Sequence, residues 1–233
     1  MDILDMISYG LIIFLVLFLL FLAEQTMIAL YPKIHPNGYT WWFGGRRYEI
    51  DVKNPARSPY YGKKIGKYTG WLCYYSTIDD PVLKDVANQI NDLAEKRHMS
   101  DTTKANFVQK FCQMNIRYVK DSKKFGTSER WDLPINTLVD KCADCEDVAA
   151  LYACLAYHCG LDVVTIDLVG HITNGVNVPA FGKHNIFNDK KYYRAECTSG
   201  FIQYVGISLG EDGALEGICK PQIPTDEFKM KLY

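Results

Sequence analysis

A chain of 233 residues suits one domain with a sizeable core plus an extension. Its 26 basic and 27 acidic residues nearly cancel, and no dense basic run is interleaved with aromatics, which argues against a nucleic-acid partner. Eight cysteines without regular spacing are too sparse for a disulfide scaffold, so most are expected as buried thiols, in keeping with a reducing compartment.

From Met6 to Ala23 the 18 residues MISYGLIIFLVLFLLFLA carry no charge, just enough to cross a bilayer as a helix. The leader MDILD is acidic and no small-x-small cleavage site follows, which favours a retained single-pass anchor over a signal peptide. Asp2 and Asp5 precede the stretch, whereas Lys33, Arg46 and Arg47 follow it, so the positive-inside rule places the large domain on the cytoplasmic side. Residues 1–31 are read as the membrane anchor. Residues 32–75, rich in Gly, Pro, Tyr and Trp, are read as a juxtamembrane linker and small extension made of turns and short extended pieces. Trp41 and Trp42 within it are read as packing residues.

The remainder, 76–233, is the candidate catalytic domain. Asp80-Pro81 marks an N-cap followed by proline at the first helical position, and Val82, Leu83, Val86, Ile90 and Leu93 carry a helix to about Arg97. A second helix starts near Ser100 or Asp101 and turns Ala105, Val108, Phe111 and Cys112 inward, before an extended segment over Ile116 to Val119. Trp131 to Lys141 contains Pro134 and reads as loop.

A third helix follows from about Cys145 to Cys159, ending at Gly160, with Val148, Leu151, Tyr152 and Leu155 at helical spacing. Asp144 suits its N-cap, and Asp147 stands where an acidic side chain reaches back in a capping box. Cys145 is then the first helical residue, where free N–H groups and the helix dipole favour a thiolate. Asp144, Glu146 and Asp147 oppose ionisation, so a nucleophilic role calls for a cationic partner from elsewhere in the chain.

Beyond it, Asp162 to Val169 is a β-branched strand, and HITNGVNVPAFGK reads as a loop. Strands over His184 to Asn188 and Tyr192 to Cys197 follow, and a further strand over Phe201 to Val205. GEDGALEG reads as turn, and Pro221 to Tyr233 as a surface wrap. If Asp189 to Lys191 form a three-residue hairpin loop, His184 faces Glu196 on one side of the sheet, a pairing that suits a carboxylate orienting an imidazole. A two-residue loop moves Glu196 to the other face. His171 is the rival imidazole, and the facing-pair argument ranks it below His184. His158 is read as helix surface.

In order along the chain, FVQKFCQMNIRYVKD, Trp131-Asp132-Leu133-Pro134 with Thr137-Leu138, Asp144-Cys145-Glu146-Asp147, His184 opening HNIF and Glu196 closing DKKYYRAE resemble the transglutaminase-like superfamily, nearest to its microbial cysteine-peptidase type. The resemblance covers about Ala105 to Gly200. Ala143 replaces the usual Gly, and Glu196 stands where Asp is commoner. It implies an α+β fold with a papain-like, transglutaminase-like core, the nucleophile helix packed on an antiparallel sheet. It also implies acyl transfer by a Cys145–His184–Glu196 triad through a thioester, with the Cys145 backbone N–H and a side-chain donor, Trp131 as candidate, for the oxyanion. The substrate would be a protein or peptide amide, hydrolysed rather than cross-linked, with no cofactor. The non-enzymatic alternative is a peptide-binding adaptor on the same fold.

Cys142 and Cys145 also spell C-x-x-C. A thiol-disulfide oxidoreductase needs a strand before the motif, where Trp131 to Lys141 reads as loop. Zinc needs two more ligands, yet Cys154 lies half-way round the helix and Cys159 about 20 Å along it, so no metal is expected.

Overall fold

The computed structural model describes residues 11–16, 18, 19, 22, 38–65, 72–126, 130–198, 203–208 and 213–233. The chain forms two compact units, Met1–Pro36 and Asn37–Tyr233. In the first, residues 11–16, 18, 19 and 22 are helical (α1) with exposed side chains. Among the described residues no helix is long and apolar enough to cross a membrane. The rest of the stretch read as an anchor lies outside the described residues.

The second unit begins with a hairpin, β1 (Gly38–Phe43) and β2 (Arg46–Asp51), closed by Gly44 and Gly45. Both glycines have positive φ, 55° and 72°, the conformation of a type I′ turn. Trp41 is fully buried, with the rings of Phe107, Phe111 and Tyr48 at 4.9, 5.2 and 5.7 Å. The packing reading of Trp41 holds: its burial supplies core that holds the hairpin to the helices.

Helix α2 (Pro81–Glu95) starts where Asp80 accepts the N–H groups of Val82 and Leu83, and α3 (Asp101–Asn115) starts at Ser100, whose hydroxyl accepts the Thr103 N–H. Then follow β4 (Arg117–Tyr118), α4 (Asp121–Lys124), β5 (Trp131–Asp132), α5 (Pro134–Asp140) and β6 (Cys142–Ala143). Pro134 opens α5 instead of making a loop, because at the first helical position its missing N–H costs nothing. β3 (Lys64–Ile65) pairs with β5, and β4 pairs parallel with β6.

The central helix α6 (Cys145–His158) is buried at every residue from Asp147 to Ala156. A helix apolar all round must be enclosed on every side. α2, α3 and α5 pack on it, together with β7 (Val163–Leu168) and β8 (His171–Val176) of the sheet.

That sheet is antiparallel, in the order β11-β7-β8-β10-β9, with β9 His184–Phe187, β10 Lys190–Ala195 and β11 Leu215–Cys219. The architecture is α+β. Two strands were read from sequence as loop or turn. β8 contains Asn174 and Gly175, poor strand formers, yet a Cβ on Gly175 would stand 2.8 Å from the Tyr192 Cβ, so the backbone passes too close to its neighbours for a side chain. β11 has a bulge between Leu215 and Gly217.

The β9–β10 connection is a two-residue turn, Asn188 and Asp189, both at positive φ (48° and 61°). The three-residue loop does not form, and His184 faces Tyr193. Of the proposed strand over residues 201–205, residues 201 and 202 lie outside the described residues, and Tyr204 makes an isolated bridge to Ile207. The C-terminal segment forms α7 (Asp226–Met230), buries Phe228 beside Tyr74 and Tyr75, and exchanges two backbone hydrogen bonds between Tyr233 and Lys64.

Candidate active site

Cys145 occupies the first turn of α6, the residue after the short strand β6 and Asp144. Asp144 stands at the N-cap position without bonding any helix N–H through its side chain, and Asp147 does not reach back: its Oδ1 accepts the Asp132 N–H at 2.7 Å. The predicted capping box is thus replaced by a bond that ties β5 to α6.

The sheet brings a histidine to this helix end, and it is His171. As the first residue of β8, His171 precedes Ile172, whose backbone N–H is hydrogen-bonded to the Cys145 sulfur. The His171 Nε2 lies 2.6 Å from Glu196 Oε2. His184 stands elsewhere, on the edge strand β9, exposed, with Nδ1 3.0 Å from the Gly182 carbonyl and its ring against Tyr193. The pairing of His184 with Glu196 is therefore corrected. The physical reason is the positive-φ turn at Asn188 and Asp189, which sets a register that carries His184 away from Glu196.

Glu196 is 6% exposed and held at each oxygen. Oε2 meets His171, while Oε1 accepts the Thr198 N–H at 2.8 Å and the Thr198 hydroxyl at 2.6 Å. Its backbone carbonyl accepts Nε2–H groups from Gln109 at 2.7 Å and Gln113 at 2.8 Å, two residues one turn apart on α3. Burial pushes the Glu196 carboxyl up, but His171, by hydrogen bond and charge, and then Thr198 more than offset it and hold the group below its ordinary range. An ionised carboxylate only accepts, so in this contact Nε2 of His171 is the donor.

A comparison with known protein families found no match, and neither did one with curated proteins.

Around the sulfur the field is acidic. The Cys145 thiol donates to Glu146 Oε2 at 3.1 Å. Burial raises its pKa far above the ordinary thiol value, and the charge of Glu146, its hydrogen bond and the charge of Asp144 add to this, against the Ile172 N–H. Among the described residues one group of potential ligand atoms converges, the carboxylates of Asp121, Asp144 and Glu146, all within 4.8 Å of one another. Such an oxygen-only set suits a hard cation rather than zinc. Without one, the three cannot all ionise: burial, then the charges of Glu146 and Asp121, push Asp144 up to about 8. Asp132, by contrast, is paired with Lys124 and Arg130, both at 3.1 Å.

Trp131 is 3% exposed and its ring lies 4.0 Å from that of Tyr75, so packing is the role its geometry gives it. Tyr118 was missed from sequence. It is 45% exposed, and its phenol is raised by burial and then by the charges of Cys145, Asp144, Glu146 and Glu196, which places it at the same site. Gln109, Gln113 and Thr198 were missed as well. Two glutamines at helical i, i+4 spacing on a buried face were the available signal. All eight cysteines are free, Cys142 and Cys145 among them, and the Nε2 of His158 is 2.8 Å from the Ile78 carbonyl.

Proposed function

We propose that this chain is a transglutaminase-like thiol enzyme with a papain-like core, in which Cys145 is the nucleophile, His171 the base and Glu196 the orienting carboxylate. The observation that carries the reading is the 2.6 Å contact of His171 with a buried, ionised Glu196, one residue from the N–H bonded to the Cys145 sulfur. Three groups in this order are what nucleophilic acyl transfer requires.

In the reaction, His171 Nδ1 takes the thiol proton and the sulfur attacks the carbonyl carbon of an amide. The negative oxygen is met by the Cys145 backbone N–H, free at the helix start, and by the Tyr118 hydroxyl. When the C–N bond breaks, the imidazolium returns its proton to the leaving nitrogen, and a thioester remains. Water then gives a proton to His171 and attacks the thioester, releasing a carboxylic acid and restoring the thiol. Hydrolysis is favoured over cross-linking, because a half-exposed Tyr118 leaves this face of the site open to water. A protein or peptide is the substrate class. The apolar N-terminal stretch makes the enzyme membrane-anchored.

One observation favours the adaptor reading: the thiol is hydrogen-bonded to a carboxylate and strongly disfavoured as a thiolate. Activity-based profiling against a peptide library separates the two. The enzyme releases cleaved or transferred products that Cys145→Ala abolishes, whereas an adaptor retains peptides equally well with or without the thiol.

A further inference from the structure

Two thiols that the proposed reaction does not use lie beside the Glu196 carbonyl. Cys112 sits on α3 between Gln109 and Gln113, the side chains that hold that carbonyl at 2.7 and 2.8 Å. Cys197 follows Glu196 directly in the chain. The two side chains are hydrogen-bonded to each other, and the Cys197 sulfur also lies 3.9 Å from the Ala195 carbonyl at the end of β10. Cys112 is fully buried, Cys197 is 6% exposed, and both are free.

A buried cysteine by itself is a small hydrophobe and calls for no further account. Two in contact across an interface differ, because a modest movement of the side chains brings such sulfurs to bonding distance. The backbones here are already drawn together: α3 packs on β10, and the two glutamine bonds span the same gap on either side of Cys112. Cys197 also stands between Glu196 and Thr198, whose N–H and hydroxyl hold Glu196 Oε1. Moving residue 197 therefore moves the carboxylate and its anchor at once.

We propose that Cys112 and Cys197 are a redox switch, which a hydroperoxide closes into a disulfide that withdraws Glu196 from His171. On the triad reading given above, this turns the thiol site off. In the first step one sulfur attacks a peroxide oxygen and the O–O bond breaks, giving a sulfenic acid and an alcohol, or water from hydrogen peroxide. The second sulfur then attacks the sulfenic sulfur, the S–O bond breaks, and water leaves. Two thiols lose two electrons, the peroxide gains them, and both thiol protons end on the departing oxygens. Cys197, the more exposed, is the sulfur that meets the oxidant. Burial, then the hydrogen bond with Cys112, hold its thiol well above the ordinary range, so the switch answers sustained oxidant and not a brief pulse. The bond formed, about 2.0 Å, is shorter than any hydrogen bond between thiols, so residue 197 is pulled towards α3. Misplacing a catalytic group by about 1 Å can cost about 100-fold in rate, and the carboxylate now meets His171 at 2.6 Å.

The test treats the full chain with hydrogen peroxide for hours, removes the peroxide and makes three measurements. Peptide mapping without reductant should find Cys112 linked to Cys197, and dithiothreitol should reverse the link. The Nε2–H resonance of His171, followed with isotope-labelled histidine, should move upfield as the bond to Glu196 lengthens. Alkylation of Cys145 should fall about tenfold relative to equally treated Cys112→Ala, which cannot cross-link and suffers the same direct oxidation of Cys145. If Cys112→Ala does not fold, Cys197→Ala takes its place. Absence of the linked peptide, or a linked form with the His171 resonance unmoved, overturns the proposal. A linked form with a shifted resonance and an unchanged Cys145 rate supports the displacement and refutes the triad.

Discussion

Replacing His171 by Gln separates the two histidines that compete for the catalytic role. The amide nitrogen of Gln reaches about as far as Nε2, so Glu196 keeps a donor where His171 now stands at 2.6 Å, and the substitution removes the proposed base with little damage to the fold. Two contributions are lost. General-base assistance is worth roughly 10²–10⁴-fold. An imidazolium beside a thiolate would be worth about 4 kcal/mol if the two charges stood about 4 Å apart at an effective dielectric near 20, close to three powers of ten. The His171 side chain is 30% exposed, so solvent screening reduces the second figure, and the two overlap because the same proton is counted in both. A fall on the order of a hundredfold in the alkylation rate of Cys145 is expected for His171→Gln. His184→Gln, on the exposed edge strand, should change the rate less than twofold. The assay is iodoacetamide labelling near pH 7.5 with the Cys145 peptide quantified by mass spectrometry, since Cys73, Cys142 and Cys219 are also partly exposed and free. A His171→Gln rate within twofold of wild type, or a large loss in His184→Gln, would refute the assignment of the base.

Glu146→Gln removes the charge that opposes ionisation and leaves a neutral amide oxygen as a weaker acceptor for the thiol proton now held at 3.1 Å, so Cys145 should alkylate about tenfold faster; an unchanged rate would show that burial alone sets its reactivity. The double variant Gln109→Leu with Gln113→Leu strips two donors from the buried Glu196 carbonyl and should cost about 1–3 kcal/mol by chemical denaturation, together with a several-fold slower Cys145 alkylation. Asp144 sets a pH dependence. Its folded pKa, near 8, lies above the unfolded 3.8, so the fold holds a proton that the unfolded chain has lost, and its contribution to stability declines as pH rises from about 4 to 8. Asp144→Asn should flatten that decline, with the larger gain at pH 8; denaturation curves at pH 5 and pH 8 that shift equally would contradict it. Glu196 runs the other way, since its depressed pKa gives stability that is present above its unfolded value and lost as acid titrates the folded group. Glu196→Gln should therefore remove a loss of stability seen below about pH 4.5 in the wild type, measurable by the same curves.

By itself the sequence determined where α2, α3 and α6 begin and which thiol stands at the mouth of the buried one. Asp80-Pro81, Ser100 and the Asp144-Cys145 step are local signals, read from capping chemistry and a 3.6-residue period that need no partner strand. It also placed Glu196 at the end of a hairpin strand, whereas β10 stops one residue earlier, at Ala195. What tertiary structure decided was the partner of that carboxylate. Strand β8 has no legible period, because its face is dictated by a close approach at Gly175 and by neighbours on both sides. Without β8, His171 falls in a loop and His184 looks the better base. The register of β9 on β10 depended on the positive φ of Asn188 and Asp189, a choice between two-residue and three-residue loops that turn composition leaves open. A one-residue slip reverses every side chain, so the pairing of His184 with Glu196 failed on that single turn.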